Sequence, residues 1–184
     1  MAELACTPGQ TVGPFFHCAL PYASDNQLVG DAQPGAIRLH GTVYDGADEA
    51  VPDALVELWQ RGADGRIVRR ECSLRRGGET FTGWGRCATD AAGHYSFTTL
   101  APGAPAGRPA FFAITVFARG LLNRVFTRAY LPDADLDADR LLSVLDGTRR
   151  QTLICAAEKG GYRFDIHLQG RCETVFLAYR GDSR

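Results

Sequence analysis

An all-β sandwich is the fold class predicted for this chain of 184 residues, and two observations carry that prediction. Turn signals recur at short intervals, and the apolar runs between them are brief, alternating or rich in β-branched and aromatic residues. Ile37, Leu39, Gly41 and Val43 alternate with more polar neighbours ahead of the Asp45-Gly46 turn. Val51-Pro52-Asp53 then leads into a strand from Leu55 to Trp59. Asp64-Gly65 and Ala92-Gly93 mark further turns, the second feeding a strand from His94 to Leu100. Pro102, Pro105 and Pro109, with Gly103 and Gly107, make a stiff loop that no continuous strand can cross. Strands are expected after it at Ala110–Ala118 and Arg124–Tyr130, and later at 151–157, 162–168 and 173–178. One helix is expected over Leu136–Leu145, where Leu141, Leu142 and Leu145 share a face and Gly147 stops it. Residues 1–35 show little periodicity and read as an extended N-terminal arm. Pro14, Phe15, Phe16 and Leu20 in it need cover, from their own domain or from a second chain. With no repeat, no low-complexity tract and no boundary, residues 1–184 form a single domain.

Composition narrows the classes of function. Hydrophobic residues make up 45% and charged residues 22%, with a formal net charge of -1. Nucleic-acid binding calls for a clustered positive field, and the pairs Arg75-Arg76 and Arg149-Arg150 are too short to make one. No apolar run is long enough to span a bilayer, and Met1-Ala2-Glu3-Leu4 lacks a secretory layout, so a cytoplasmic setting is expected. The cysteines Cys6, Cys18, Cys72, Cys87, Cys155 and Cys172 are widely scattered without a Cys-x-x-Cys pair, which argues for free thiols over a zinc site.

Little recognisable chemistry is written in local motifs. The histidines His17, His40, His94 and His167 form no close pair, and tyrosines alone do not hold a hard ferric ion. There is no Gly-x-Ser-x-Gly elbow and no phosphate-binding glycine loop. Arg119 stands out because it ends an apolar strand beside Gly120 at the expected mouth of a sandwich. A guanidinium there can grip a carboxylate with two parallel hydrogen bonds, or it can snorkel or pair with a neighbouring acid.

Several blocks together resemble the intradiol aromatic-ring dioxygenases. Thr11-Val12-Gly13-Pro14-Phe15-Phe16-His17 is similar to that family's Thr-x-Gly-Pro-aromatic segment. Gly41–Gly46 and Val56–Gln60 resemble its paired strands, and Gly85–Asp90 with Gly93–Phe97 its Gly-Arg-x-x-Thr-Asp hairpin. Arg149–Ile154, Tyr162–Ile166, Leu168–Gly170 and Glu173–Phe176 continue the likeness, which spans residues 7–178. The resemblance implies a prealbumin-like β-sandwich. It also locates the strand that in this family carries His-x-His ligands to Fe(III), and there this chain has Phe111 and Ala113. The Pro102–Pro109 loop lacks the tyrosine found in metal-binding chains.

A non-metal alpha chain of a two-chain enzyme is what this implies, paired with a beta chain that holds the Fe(III) and assembled into higher alpha-beta oligomers. No metal ligand and no catalytic residue is then expected in this chain. The implied substrate is 3,4-dihydroxybenzoate, with Arg119 near its carboxylate and Thr11, Gly13, Pro14 and Phe15 lining the shared pocket. Phe15 departs from the tyrosine common in such alpha chains. Two rivals are a self-sufficient dioxygenase with an unusual ligand set and a non-catalytic β-sandwich module that binds protein.

Overall fold

The computed structural model describes residues 11–69, 80–133 and 135–179. Cys6, Cys72, the Arg75-Arg76 pair and the first ten residues of the arm lie outside these. Two sheets enclose one core, and burial alternates most clearly along the strands His94–Leu100 and Phe111–Phe117. The first sheet contains β1 (Ala36–Tyr44), β4 (His94–Leu100), β7 (Ala156–Glu158), β8 (Gly161–Arg163) and β9 (Ile166–His167). Its order is β4-β1-β8-β7, with β9 also pairing with β1. The second contains β2 (Leu55–Trp59), β3 (Trp84–Ala88), β5 (Phe111–Phe117) and β6 (Val125–Tyr130), in the order β3-β2-β5-β6.

Side chains at period two explain the layering. Phe112, Ile114 and Val116 of β5 face inward, meeting Leu39 and Val43 of β1, Tyr95 and Phe97 of β4, and Ile166 of β9. Phe111, Ala113, Thr115 and Phe117 therefore lie on the outer face. At one end of that face Tyr130, Leu142, Leu153 and Val175 make a second apolar cluster, joined by Phe111, Leu136, Leu141 and Leu145. The expected sandwich is the observed one.

Several elements differ from the sequence expectation. The arm is not extended throughout: Gly13–Ala19 is helical (α1), with Pro14 in its first turn where a missing N–H costs nothing. The single helix expected over Leu136–Leu145 breaks into a 3-10 turn at Leu136–Ala138 and a helical turn at Arg140–Ser143 (α2). Asp139 makes the break: its backbone is extended, and its carboxylate caps α2 by accepting from the Leu141 N–H at 2.8 Å. The strand expected at 151–157 begins instead with the end of a short helix, Gly147–Gln151 (α3), capped by Asp146. Residues 162–168 are split because the Asp165 carboxylate, rather than a carbonyl, accepts from the Thr42 N–H at 3.0 Å. Residues 173–178 form no regular strand, although the Leu177 N–H still donates to the Phe126 carbonyl at 2.7 Å.

Candidate functional site

The two ends of β5 are the places where the sequence predicted function, and they are built differently. At the C-terminal end the strand stops at Phe117, and Gly120 adopts a φ of 81°, a left-handed value that turns the chain away. Arg119 is left projecting, with its side chain 58% exposed. Its Nε donates to Oδ1 of Asp53 at 2.8 Å, and its Nη2 lies 2.7 Å from Oδ2 of the same carboxylate. This is the plain alternative of the sequence reading, a pairing with a neighbouring acid. Asp53 raises the Arg119 pKa further by hydrogen bonding and charge, so the guanidinium is always ionised. One edge of its fork is thus occupied, while the Nη1 side has no partner among the described residues.

Helix α1 and the residues before it are docked beside this arginine by four contacts. The Thr11 hydroxyl donates to the Ala118 carbonyl at 3.3 Å and accepts from the Gly13 N–H at 3.3 Å. Gly13 lies so close to the Ala118 backbone that a Cβ would collide with its carbonyl, which explains glycine in a helix. Phe16 packs edge-on against Phe117, with ring centroids 5.1 Å apart, and His17 Nε2 donates to the Thr89 carbonyl at 2.9 Å. A shallow cavity of about 150 Å³ lies between them, lined by residues including Gly13, Phe16, Ala118 and Leu121. The structure thus brings Thr11, Gly13 and Pro14 alongside the segment that carries Arg119. Phe15 points away from the chain and is 71% exposed.

At the other end of β5 lie Phe111 and Ala113, at the positions where the resemblance described above leads one to expect metal ligands in the family's iron-binding chains. Ala113 pairs across the sheet with Arg128 of β6, and the Arg128 guanidinium carbon sits 4.3 Å from the centroid of the Phe111 ring. Arg128 Nη1 donates to the Tyr130 hydroxyl at 3.1 Å and lies 3.5 Å from Oδ2 of Asp139, while the Tyr130 hydroxyl donates to that oxygen at 3.0 Å. Burial outweighs the Arg128 charge and pushes the Tyr130 pKa up to about 12. A benzyl ring, a methyl group and a guanidinium do not fit a ferric ion. Among the described residues no group of three or more His, Cys, Asp or Glu side chains is placed to hold a metal. A cavity of about 470 Å³ lies beside the proline loop at this end, lined by residues including Pro105, Arg108, Leu131, Asp133 and Tyr162.

Asp53, Arg128, Tyr130 and Asp139 are given no part in a site by the sequence reading. Only Asp139 left a local signal, as an acidic cap before Arg140-Leu141-Leu142. The Asp53–Arg119 and Arg128–Asp139 pairs span 66 and 11 positions and depend on strand register.

A family model described as "Dioxygenase" matches residues 12–170. The "Protocatechuate 3,4-dioxygenase alpha chain" of Burkholderia cepacia is 36% identical over 197 residues, covering 96% of this chain and 99% of that one. The chain belongs to the intradiol dioxygenase family. The "Protocatechuate 3,4-dioxygenase beta chain" of the same organism is 33% identical over 185 residues, covering 90% of this chain and 76% of the relative. The fold is shared with the "Intradiol ring-cleavage Dioxygenase from Tetranychus urticae", at a TM-score of 0.60 and 13% identity, covering 91% and 99% of the two chains. Intradiol ring cleavage, an oxidoreductase reaction with dioxygen, is the activity this chain serves. No described helix of this intradiol dioxygenase chain is long and apolar enough to cross a membrane.

Proposed function

We propose that this chain is the non-iron-binding alpha chain of a protocatechuate 3,4-dioxygenase, working with a beta chain that holds the Fe(III). The observation that carries this reading is the pair Phe111 and Ala113, closed over by Arg128, in a chain matched nearly end to end by a relative named as an alpha chain. The complex would convert 3,4-dihydroxybenzoate and dioxygen to 3-carboxy-cis,cis-muconate, with both oxygen atoms entering the product. Iron, when bound by the partner, supplies the activation of the catechol towards oxygen; no step is assigned to a metal in this chain.

This chain's own part is positioning. The free edge of Arg119 binds the substrate carboxylate and orients the ring. Thr11, Gly13, Pro14 and Phe15 line the shared pocket, with the Thr11 hydroxyl donating to the Ala118 carbonyl and accepting from the Gly13 N–H to hold the segment in place. Val12 and Phe15, 51% and 71% exposed, support a reading in which the arm, residues 1–35, lies against the beta chain. The whole chain, 1–184, acts as one domain in a larger alpha-beta assembly, in a cytoplasmic setting consistent with free Cys18, Cys87, Cys155 and Cys172.

Two measurements test the reading. Co-expression with an iron-bearing beta homologue should give a ring-cleaving complex, whereas stoichiometric iron in the isolated chain would favour a self-sufficient enzyme. Within the complex, Arg119→Ala should lower kcat/KM for 3,4-dihydroxybenzoate by about tenfold or more with iron content unchanged. Wild-type kinetics in that variant would remove Arg119 from the site.

A further inference from the structure

Arg119 does not stand free at the mouth of the sandwich; one carboxylate already holds it. We infer that Asp53 is the positioning residue for substrate recognition, taking the Nε/Nη2 edge of Arg119 so that its Nη1 edge is presented to an incoming carboxylate. The inference rests on the reading of Arg119 as the substrate contact and adds what aims it.

A guanidinium offers two edges with paired in-plane donors. Asp53 uses one, through contacts of 2.8 Å and 2.7 Å. A bidentate carboxylate can then approach along only the remaining edge, in the plane that Asp53 sets. The side chain of Asp53 is 21% exposed against 58% for Arg119, so the acid is the anchored partner and the arginine the aimed one.

The anchoring is visible in the backbone on both sides of Asp53. The Ala54 N–H donates to the Thr89 hydroxyl at 3.0 Å, and that hydroxyl donates to the Val51 carbonyl at 2.8 Å. Val51, Ala54 and Thr89 are all buried. The Thr89 carbonyl also takes His17 of α1, so one buried threonine ties both the Asp53 turn and the pocket-lining helix to the sheet. A long, exposed arginine would otherwise sample many rotamers, and each would have to be frozen on binding. Asp53 meets that ordering cost during folding.

Charge gives a second consequence. The Asp53–Arg119 pair is close to neutral before substrate arrives, so recognition depends on directed hydrogen bonds more than on long-range attraction. Loss of Asp53 leaves the guanidinium charge uncompensated and so adds attraction, but it releases the aim of Arg119. Weaker binding of ligands that carry a carboxylate, with those that lack one unaffected, therefore reports the aiming and not the charge.

The test is anaerobic titration of the intact alpha-beta complex with 3,4-dihydroxybenzoate and with catechol, which has no carboxylate. Asp53→Asn is expected to raise Kd for the acid about tenfold, leaving catechol affinity and iron content unchanged. Asp53→Glu, which keeps the paired acceptors, should recover part of that loss. Asp53→Asn combined with Arg119→Ala should bind the acid no more weakly than Arg119→Ala alone. Equal weakening of both ligands, or losses that add, would overturn the inference by showing a merely structural role. If Arg119→Ala weakens the acid while Asp53→Asn binds it like wild type, Asp53 alone is dismissed. If Arg119→Ala itself binds the acid normally, the carboxylate contact falls and the Asp53 inference falls with it.

Discussion

The two ends of strand β5 have met opposite fates on one scaffold. At the C-terminal end a charged side chain remains turned outward, aimed by Asp53 and flanked by a helix whose Phe15 is largely uncovered. At the N-terminal end the outer face is filled: Phe111 lies under Arg128, and Arg128 with Tyr130 and Asp139 closes a hydrogen-bonded cluster roofed by Leu136, Leu141 and Leu142. Both ends use an arginine and an aspartate, so residue type alone does not separate them. Burial does. Asp139 is 6% exposed on its side chain and its partner Arg128 25%, against 21% and 58% for Asp53 and Arg119. A buried pair fastens elements together, and an exposed one retains donors for a ligand.

The largest effect that would sharpen this contrast is in the filled end. Asp139→Ala removes an ion pair, the acceptor for the Tyr130 hydroxyl and the cap of α2 in one change. A stability loss of roughly 2–3 kcal/mol is expected by urea denaturation, with ligand affinity of the complex little altered. A negligible loss would mean that the cluster fastens nothing. Gly13→Ala acts at the open end and should do the reverse. Its Cβ meets the Ala118 carbonyl and forces α1 off its seat. Ring cleavage by the complex should fall about tenfold, while the isolated chain loses about 1 kcal/mol or less. A chain that loses far more would show that α1 belongs to the core and not to the pocket.

The last effect is silent at neutral pH and appears only in alkali. Burial pushes Cys155 from 9.0 up to about 12, and Tyr130 from 10.0 up to about 12. Both groups ionise more readily in the unfolded chain, so their contribution to stability is complete below about pH 9 and is lost as pH rises towards 12. Alkaline denaturation followed at several pH values checks this. At pH 8 a thiol reagent should modify exposed Cys18 and spare Cys155.

Much of the fold was legible residue by residue. The strands expected at Leu55–Trp59 and His94–Leu100 are β2 and β4 without change, and Ala110–Ala118 contains β5. Period-two alternation and glycine turns are local signals, and a sandwich honours them. The misses share one cause. Asp139 broke a helix that leucine spacing favoured because its carboxylate has partners on β6, and Asp165 interrupted a strand because it serves Thr42 on β1. Pro14 could have flagged the start of α1, but a seven-residue helix needs the surface of Ala118 and Phe117 to lie on. The candidate site divides the same way: Thr11, Gly13 and Arg119 were readable as a motif and a strand end, and Asp53 was not.

By itself the order of residues determined that two apolar-faced sheets would form, because side-chain alternation and turn chemistry act within a few positions. It also determined that Phe111 and Ala113 can bind no metal, since that is a property of their atoms. Only the tertiary structure decided which arginine would be sealed over and which would keep an open edge. That choice depends on how far each guanidinium stands from solvent, and distance from solvent exists only once strands distant in sequence have been laid side by side.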